Sequence, residues 1–211
     1  MFARLPERGR VKTRLARDIG DERALVLYEA MLRDTLRSIG TANERLEIEV
    51  LWAPSTSANG DALHRAFGDR ALAMQTGDTL GDRLAMAFSE RFFFHRTEKI
   101  IAIGVDDPTL DRALIDHAFA LLDSCEWVLG PAADGGYYLI GCRAASYNTE
   151  VFMDVAWGTD QVMSATLAKI RAWSATVAVL PERRDIDEGE DLRAFEGGGE
   201  VGAVLRGWGY E

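Results

Sequence analysis

The chain has 211 residues, 47% of them apolar and 27% charged, which is enough apolar mass for a full core and suits one domain over residues 1–211. A formal net charge of −10 with a pI near 4.9 argues against a nucleic-acid partner, because such proteins carry a basic footprint. No apolar run approaches the ~20 residues that span a bilayer, no secretory segment opens the sequence, and Cys125 and Cys142 form no C-x-x-C pair, so a cytoplasmic protein without disulfides or structural zinc is expected.

Met1-Phe2-Ala3 reads as the tail of a strand that feeds a basic loop through Arg14. Asp21 is placed to cap a long helix with the apolar face Leu25, Tyr28, Leu32, Leu36 and Ile39. Leu46–Trp52 alternates as a strand, Asp61–Phe67 reads as helix, and Leu72–Gln75 as a short strand. A helix is expected over Asp82–Arg91, with Leu84, Ala87 and Phe88 on one side. Next, Ile100-Ile101-Ala102-Ile103 has the β-branched density of a strand buried on both faces, as in a parallel sheet. A helix over Leu110–Leu122 and strands at Trp127–Leu129 and Tyr137–Ile140 follow. The remaining expectations are a helix over Gln161–Trp173, a strand at Thr176–Leu180, a helix over Glu190–Phe195, and a glycine loop at Gly197–Gly199 before a short tail. Such strand–helix alternation predicts an α/β fold with a mostly parallel sheet covered on both faces.

Chemistry concentrates in four places. Gly104 and Val105-Asp106-Asp107-Pro108 end the central strand, at the sheet edge where α/β proteins bind ligands. Acidic oxygens there suit Mg²⁺ or Mn²⁺ completed by substrate phosphates. Adjacent residues of an extended chain point to opposite faces, so Asp106 is the expected ligand and Asp107 the second choice; alternatively Asp107 or Thr109 caps the next helix.

Six of the 24 Lys and Arg residues lie between Arg4 and Arg17. Arg10, Lys12 and Arg14 share one side of an extended loop and can clamp a di- or triphosphate, with Gly9 allowing close backbone approach. A solvated basic patch is the plainer explanation. The third place is Asp134-Gly135-Gly136-Tyr137, which permits close contact with a sugar hydroxyl or acceptor, or simply a tight turn.

In Asp185-Ile186-Asp187, one carboxylate could complete a metal site with Asp106, although Asp187 and Glu190 also fit a capping box. The weaker Gly77–Arg83 turn, with Gly81 and Arg83, suits an anion or base edge, or Thr79 and Asp82 as helix caps. Trp157 reads as a packing anchor. His64, His95 and His117 lack metal-ligand spacing.

Five blocks recur in a recognisable order: P-E-R-G-R-V-K-T-R-L, G-D-T-L-G-D-R, I-G-V-D-D-P-T-L, G-P-A-A-D-G-G-Y-Y-L-I-G and D-I-D-E-G-E-D-L. With them the chain resembles an uncharacterised bacterial family of predicted transferases with the nucleotide-diphospho-sugar transferase (GT-A-like) fold. It is also similar to nucleotidyltransferases such as phospholactate guanylyltransferase and the molybdopterin-cofactor enzymes. That resemblance implies a three-layer α/β/α fold, phosphate binding by Lys12 with Arg10 or Arg14, and Mg²⁺ or Mn²⁺ on Asp106 with Asp187 nearby. Gly9, Gly81 and Arg83 would complete the nucleotide site. Asp134, Gly135, Gly136 and Tyr137 would face the acceptor, and Asp106, Lys12 and Asp134 would carry the chemistry. Three features depart from the family pattern: a first strand of about three residues, consistent with a late start, Val105 in place of a small hydroxyl residue, and Asp107 in place of a small one.

The expected activity is transfer from an NDP-sugar to an acceptor that the sequence does not name. The alternatives are nucleotidyl transfer with pyrophosphate release, toward which the crowded cations lean, and a nucleotide-binding module without chemistry. A haloacid-dehalogenase-type phosphatase is disfavoured, since Pro108 stands where that chemistry needs a second acid.

Overall fold

Alternation along the strands decides where the helices lie. The computed structural model describes residues 1–40, 46–54 and 73–210. In chain order these form β1 (Phe2–Ala3), α1 (Ala16–Ile19), α2 (Asp21–Ser38), β2 (Leu51–Trp52), β3 (Ala73–Met74), α3 (Leu80–Phe93) and β4 (Lys99–Ile103). They continue with α4 (Arg112–Leu121), β5 (Trp127–Pro131), β6 (Tyr137–Arg143), α5 (Val162–Ala172), β7 (Val177–Val179), α6 (Gly189–Ala194) and α7 (Gly199–Gly207).

Ile103, Val128 and Leu139 pack with Tyr28, Leu32 and Leu36 of α2 and with Ile115 and Ala118 of α4. Their neighbours Ala102, Trp127, Leu129, Ile140 and Cys142 pack instead with Leu84, Phe88 and Phe92 of α3 and with Ile170 of α5. Helices thus cover both faces, giving three α/β/α layers. None of the described helices is long and apolar enough to cross a membrane.

The strands form two sheets. In β1-β2-β3 every neighbour is parallel, with Phe2 opposite Leu51 and Leu51 opposite Ala73. The other sheet runs β4-β6-β5-β7, in which β6 is antiparallel to both β4 and β5 while β7 is parallel to β5. The expected central strand is therefore corrected in one respect. Its ladder partner is the antiparallel β6, and Ile100 and Ile101 are only half-buried. β-Branched density reports burial and pleat, and it cannot report the direction of the neighbour.

Other boundaries shift by one to five residues. Gly20, without a side-chain cap, precedes α2 where Asp21 was expected to cap. The expected strand Leu46–Trp52 contracts to Leu51–Trp52, and the strand expected at Leu72–Gln75 is found, among the described residues, at Ala73–Met74. The Asp61–Phe67 expectation and His64 lie outside the described residues.

The tail beyond Gly197 is a helix, which its glycines concealed. Val201 and Leu205 of α7 are buried against Leu27, Ala30 and Met31 of α2. Asp34, only 6% exposed, accepts hydrogen bonds from the backbone N–H groups of Glu200 (3.0 Å) and Val201 (2.8 Å). A carboxylate from another helix thus satisfies donors that no residue within α7 reaches. Asp34→Ala should orphan both amides and lower stability by about 1–3 kcal/mol, read by calorimetry as a drop of several degrees in Tm. An unaltered Tm would contradict this account of how α7 is held.

Candidate functional site

Three distant segments meet at the ends of β1 and β4. The loop after β1 is anchored at Arg4, whose backbone N–H and C=O both bond the Tyr28 hydroxyl (2.8 and 2.9 Å). It turns at Gly9 and again at Lys12, which adopts φ 45°, a left-handed conformation that is strained for a lysine. That turn carries the Lys12 side chain inward, where only 3% of it is exposed. The segment after β7 is brought in by backbone hydrogen bonds, among them the Arg183 N–H on Pro131 O (3.0 Å) and the Ile186 N–H on Asp106 O (2.9 Å). Buried Ile186 fixes the register, so Asp185 and Asp187 fall on the opposite side of the extended chain.

The result is a triad of charges. Lys12 Nζ lies 2.5 Å from Asp106 Oδ1 and 2.8 Å from Asp187 Oδ1. Arg14 reaches Asp187 at 4.0 Å. Burial alone lowers the Lys12 pKa, but the Asp106 and Asp187 carboxylates outweigh it and raise the ammonium above its ordinary value, so it stays charged. Asp185 is mostly buried beside them, and its Oδ1 has no hydrogen-bond partner. Burial first, and the Asp106 charge next, push the Asp185 carboxyl up to about 7 against the pull of Lys12.

A cleft of about 450 Å³ opens over this cluster. Arg10, Lys12, Arg14, Arg83, Asp106, Tyr137 and Asp187 line it together, as do Tyr28 and Gln75. Those last two had given no sign of a site role. Tyr28 read as an apolar helix position, and Gln75 gains its place only through long-range contacts, its Nε2 bonding Ala3 O and Leu51 O (3.2 and 2.7 Å).

Gly9, Gly81, Asp134, Gly135 and Gly136 do not line the cleft. At Gly81 a Cβ would collide with the Phe152 carbonyl and the Trp157 indole, so this glycine serves packing, with Trp157 as the anchor. Thr79 and Asp82 close a reciprocal capping box ahead of it. Arg83 holds the preceding turn through Gly77 O (3.0 Å) and Asp78 O (3.3 Å). Asp134 accepts from the Gly136 N–H (2.8 Å), and Gly135 at φ 88° sits against the Asp160 backbone, which no side chain would permit. This turn therefore docks the β5–β6 connection onto α5. Tyr137 is nearly buried, edge-on to Trp157.

Two sequence expectations need correction. Asp107, the second choice as ligand, is 5% exposed and fully engaged. Its Oδ1 accepts from Thr109 N–H (2.9 Å) and Thr109 Oγ1 (2.6 Å), while its Oδ2 pairs with Arg183 Nε. Nor does it cap α4, whose N-cap is Asp111. The expected capping box of Asp187 and Glu190 is displaced by one residue: Glu188 and Asp191 form it, leaving Asp187 to Lys12.

The donor set fits a hard divalent cation. Asp106 and Asp187 turn oxygens toward one cation position, and their side chains are 47% and 33% exposed to the cleft. Among the described residues no group of three or more His, Cys, Asp or Glu is arranged to hold a metal alone. Two carboxylates completed by phosphate and water are the usual Mg²⁺ arrangement.

The model of the family described as "uncharacterized protein conserved in bacteria" (DUF2064) matches residues 35–159. In structure the chain is similar to a "putative nucleotide-diphospho-sugar transferase" from Desulfovibrio desulfuricans G20, at 29% identity and TM-score 0.88 over 98% of this chain and 92% of that one. It is more distantly similar to the inositol-1-phosphate CTP transferase of T. maritima (13% identity, TM-score 0.54, 97% and 94% covered). A nucleotidyl transferase from Methanothermobacter stands at the same distance (16%, 0.54, 98% and 97%). No curated protein matches the sequence. The fold is thus the one shared by nucleotide-diphospho-sugar transferases and nucleotidyltransferases.

The neighbouring acids should separate by experiment. Asp107→Ala strips the buried partner of Arg183 and should cost about 2–3 kcal/mol in denaturant unfolding, whereas Asp106→Ala, which leaves the Lys12 ammonium paired with Asp187, should cost less. Equal losses would contradict the division of roles. Asp185 yields a second prediction. A carboxyl raised in the fold binds its proton more tightly there than in the unfolded chain, where 3.8 is the ordinary value. Its contribution to stability is therefore present below pH ~4 and lost as pH rises through 7. Asp185→Asn should flatten that decline in metal-free protein; an unchanged slope would contradict it.

Proposed function

The chain belongs to the bacterial DUF2064 family, and from that premise we propose that it is a divalent-metal-dependent transferase acting on a nucleotide-activated donor, an NDP-sugar before others. The observation that carries the reading is the meeting of Lys12, Asp106 and Asp187 beneath a cleft lined by Arg10 and Arg14. Likeness to the Desulfovibrio protein supports the sugar donor.

Asp106 and Asp187 would hold Mg²⁺ or Mn²⁺, which supplies Lewis-acid neutralisation of the diphosphate. Arg10 and Arg14 present guanidinium forks to the phosphate oxygens, and Lys12 adds a point charge. As the bond from the anomeric carbon to the phosphate oxygen breaks, charge grows on the departing nucleoside diphosphate, and these cations are aimed at it. That is electrostatic stabilisation by groups already in place. Gln75 and Tyr28 keep the cleft wall in register.

Nucleotidyl transfer is the second reading. The concentration of cations around the cleft suits a triphosphate, and the distant fold neighbours include CTP-using enzymes. In it a phosphorylated acceptor attacks the α-phosphorus and pyrophosphate departs.

A thermal-shift panel of NTPs and NDP-sugars with Mn²⁺ tests the proposal. A true donor at ~100 times its Kd should add about 2.7 kcal/mol, or some 5–10 °C at this size, and Asp106→Ala should abolish the shift. Response to NDP-sugars alone supports sugar transfer. Response to one NTP, with pyrophosphate among the products, transfers the assignment to the second reading. A shift indifferent to Asp106→Ala overturns both and leaves a nucleotide-binding module.

A further inference from the structure

The ammonium of Lys12 occupies the position at which the Asp106 and Asp187 carboxylates converge, in contact with one oxygen of each. It is almost wholly buried, and its backbone is held in a strained left-handed turn that delivers it there. A divalent ion that takes the same two oxygens must displace it, because a +1 and a +2 charge cannot share one pair of carboxylates at contact distance without strong repulsion. Once displaced, a buried ammonium needs another anion. Within the cleft the neighbouring cations Arg10 and Arg14 offer none, and Asp185 is the other acid beside the cluster. A phosphate group entering between the arginines would supply that anion, and its oxygens would be further ligands for the ion.

We propose that Lys12 is an internal counter-ion that competes with the divalent metal for Asp106 and Asp187, so that metal and phosphate bind cooperatively. Metal alone binds weakly. Metal with a diphosphate binds well, because Lys12 passes from the carboxylates to the phosphate oxygens. This rests on the metal reading of the site given above and adds to it an order of events: the metal arrives with the nucleotide rather than before it. Lys12 then has two roles, holding the empty cleft in register and later holding the diphosphate.

The test uses Mn²⁺ alone, titrated into the wild type, Lys12→Gln and Asp106→Asn, with the unbound ion followed by its paramagnetic resonance signal. Lys12→Gln should bind Mn²⁺ about tenfold or more tightly than the wild type, since a repelling unit charge has gone. Its Tm, lowered by two unneutralised carboxylates, should be restored by Mn²⁺. The wild type offers an independent readout, because the chain has only three lysines, Lys12, Lys99 and Lys169. Lys99 pairs with Asp123, and Lys169 bonds the carbonyls of Glu150 and Met153, both away from the cleft. Acylation by an amine-reactive ester, mapped by mass spectrometry, should rise at Lys12 as Mn²⁺ is added and stay constant at the other two. If Lys12→Gln does not fold, this readout decides. Mn²⁺ affinity equal in wild type and Lys12→Gln but lost in Asp106→Asn would overturn the competition and leave the metal site standing. Mn²⁺ binding that Asp106→Asn leaves intact, or that none of the three proteins shows, would overturn the metal reading as well.

Discussion

The buried ammonium of Lys12, held between Asp106 and Asp187, is the contact on which the arrangement of the candidate site depends. It joins positions 12, 106 and 187, three places that the chain brings together only when folded. Removing the lysine leaves two carboxylates facing each other in a half-buried cleft, and removing either acid leaves the ammonium short of a partner. Each residue is tolerable there because the others are present, as expected for charges withdrawn from water.

The supporting structure works largely by keeping other acids out of that contact. Asp107 is next to Asp106 in sequence, yet Thr109 and Arg183 bind it on the far side of the turn. Asp191 closes the capping box with Glu188, and its Oδ2 accepts the Asp187 N–H (2.9 Å), fixing the Asp187 backbone while sparing its carboxylate. Asp185 has neither a cap nor a direct cation, and its carboxyl is correspondingly raised. Five acids lie within seven residues, 185 to 191, and Asp185, Asp187 and Asp191 among them thus take different roles according to which neighbours reach them.

The sequence carried the layer order, the basic loop and Asp106, because each has a local signature: alternation, a run of cations, and a carboxylate where an apolar strand ends. It also carried the i, i+2 relation of Asp185 and Asp187. The pairing at the centre of the candidate site was less legible. D-x-x-E and E-x-x-D overlap in Asp187-Glu188-Gly189-Glu190-Asp191, and only the contact of Lys12 with Asp187 separates the two frames. The burial of Asp107 depends on Arg183, 76 residues away, and no local pattern announces it. The terminal helix was hidden for a similar reason: Gly199, Gly202 and Gly207 are poor helix formers, and its first turn is completed by Asp34 from α2.

The proposed transferase requires metal and diphosphate to meet at the Lys12–Asp106–Asp187 cluster. Diffraction from crystals of the wild type grown with Mn²⁺ and an NDP-sugar or NTP that stabilises it, recorded at the manganese edge, tests this most directly. The account predicts an anomalous peak within bonding distance of Asp106 and Asp187, a diphosphate between Arg10 and Arg14, and Lys12 Nζ on a phosphate oxygen. A nucleotide seated elsewhere, with Lys12 still bridging the two carboxylates and no manganese beside them, would contradict it.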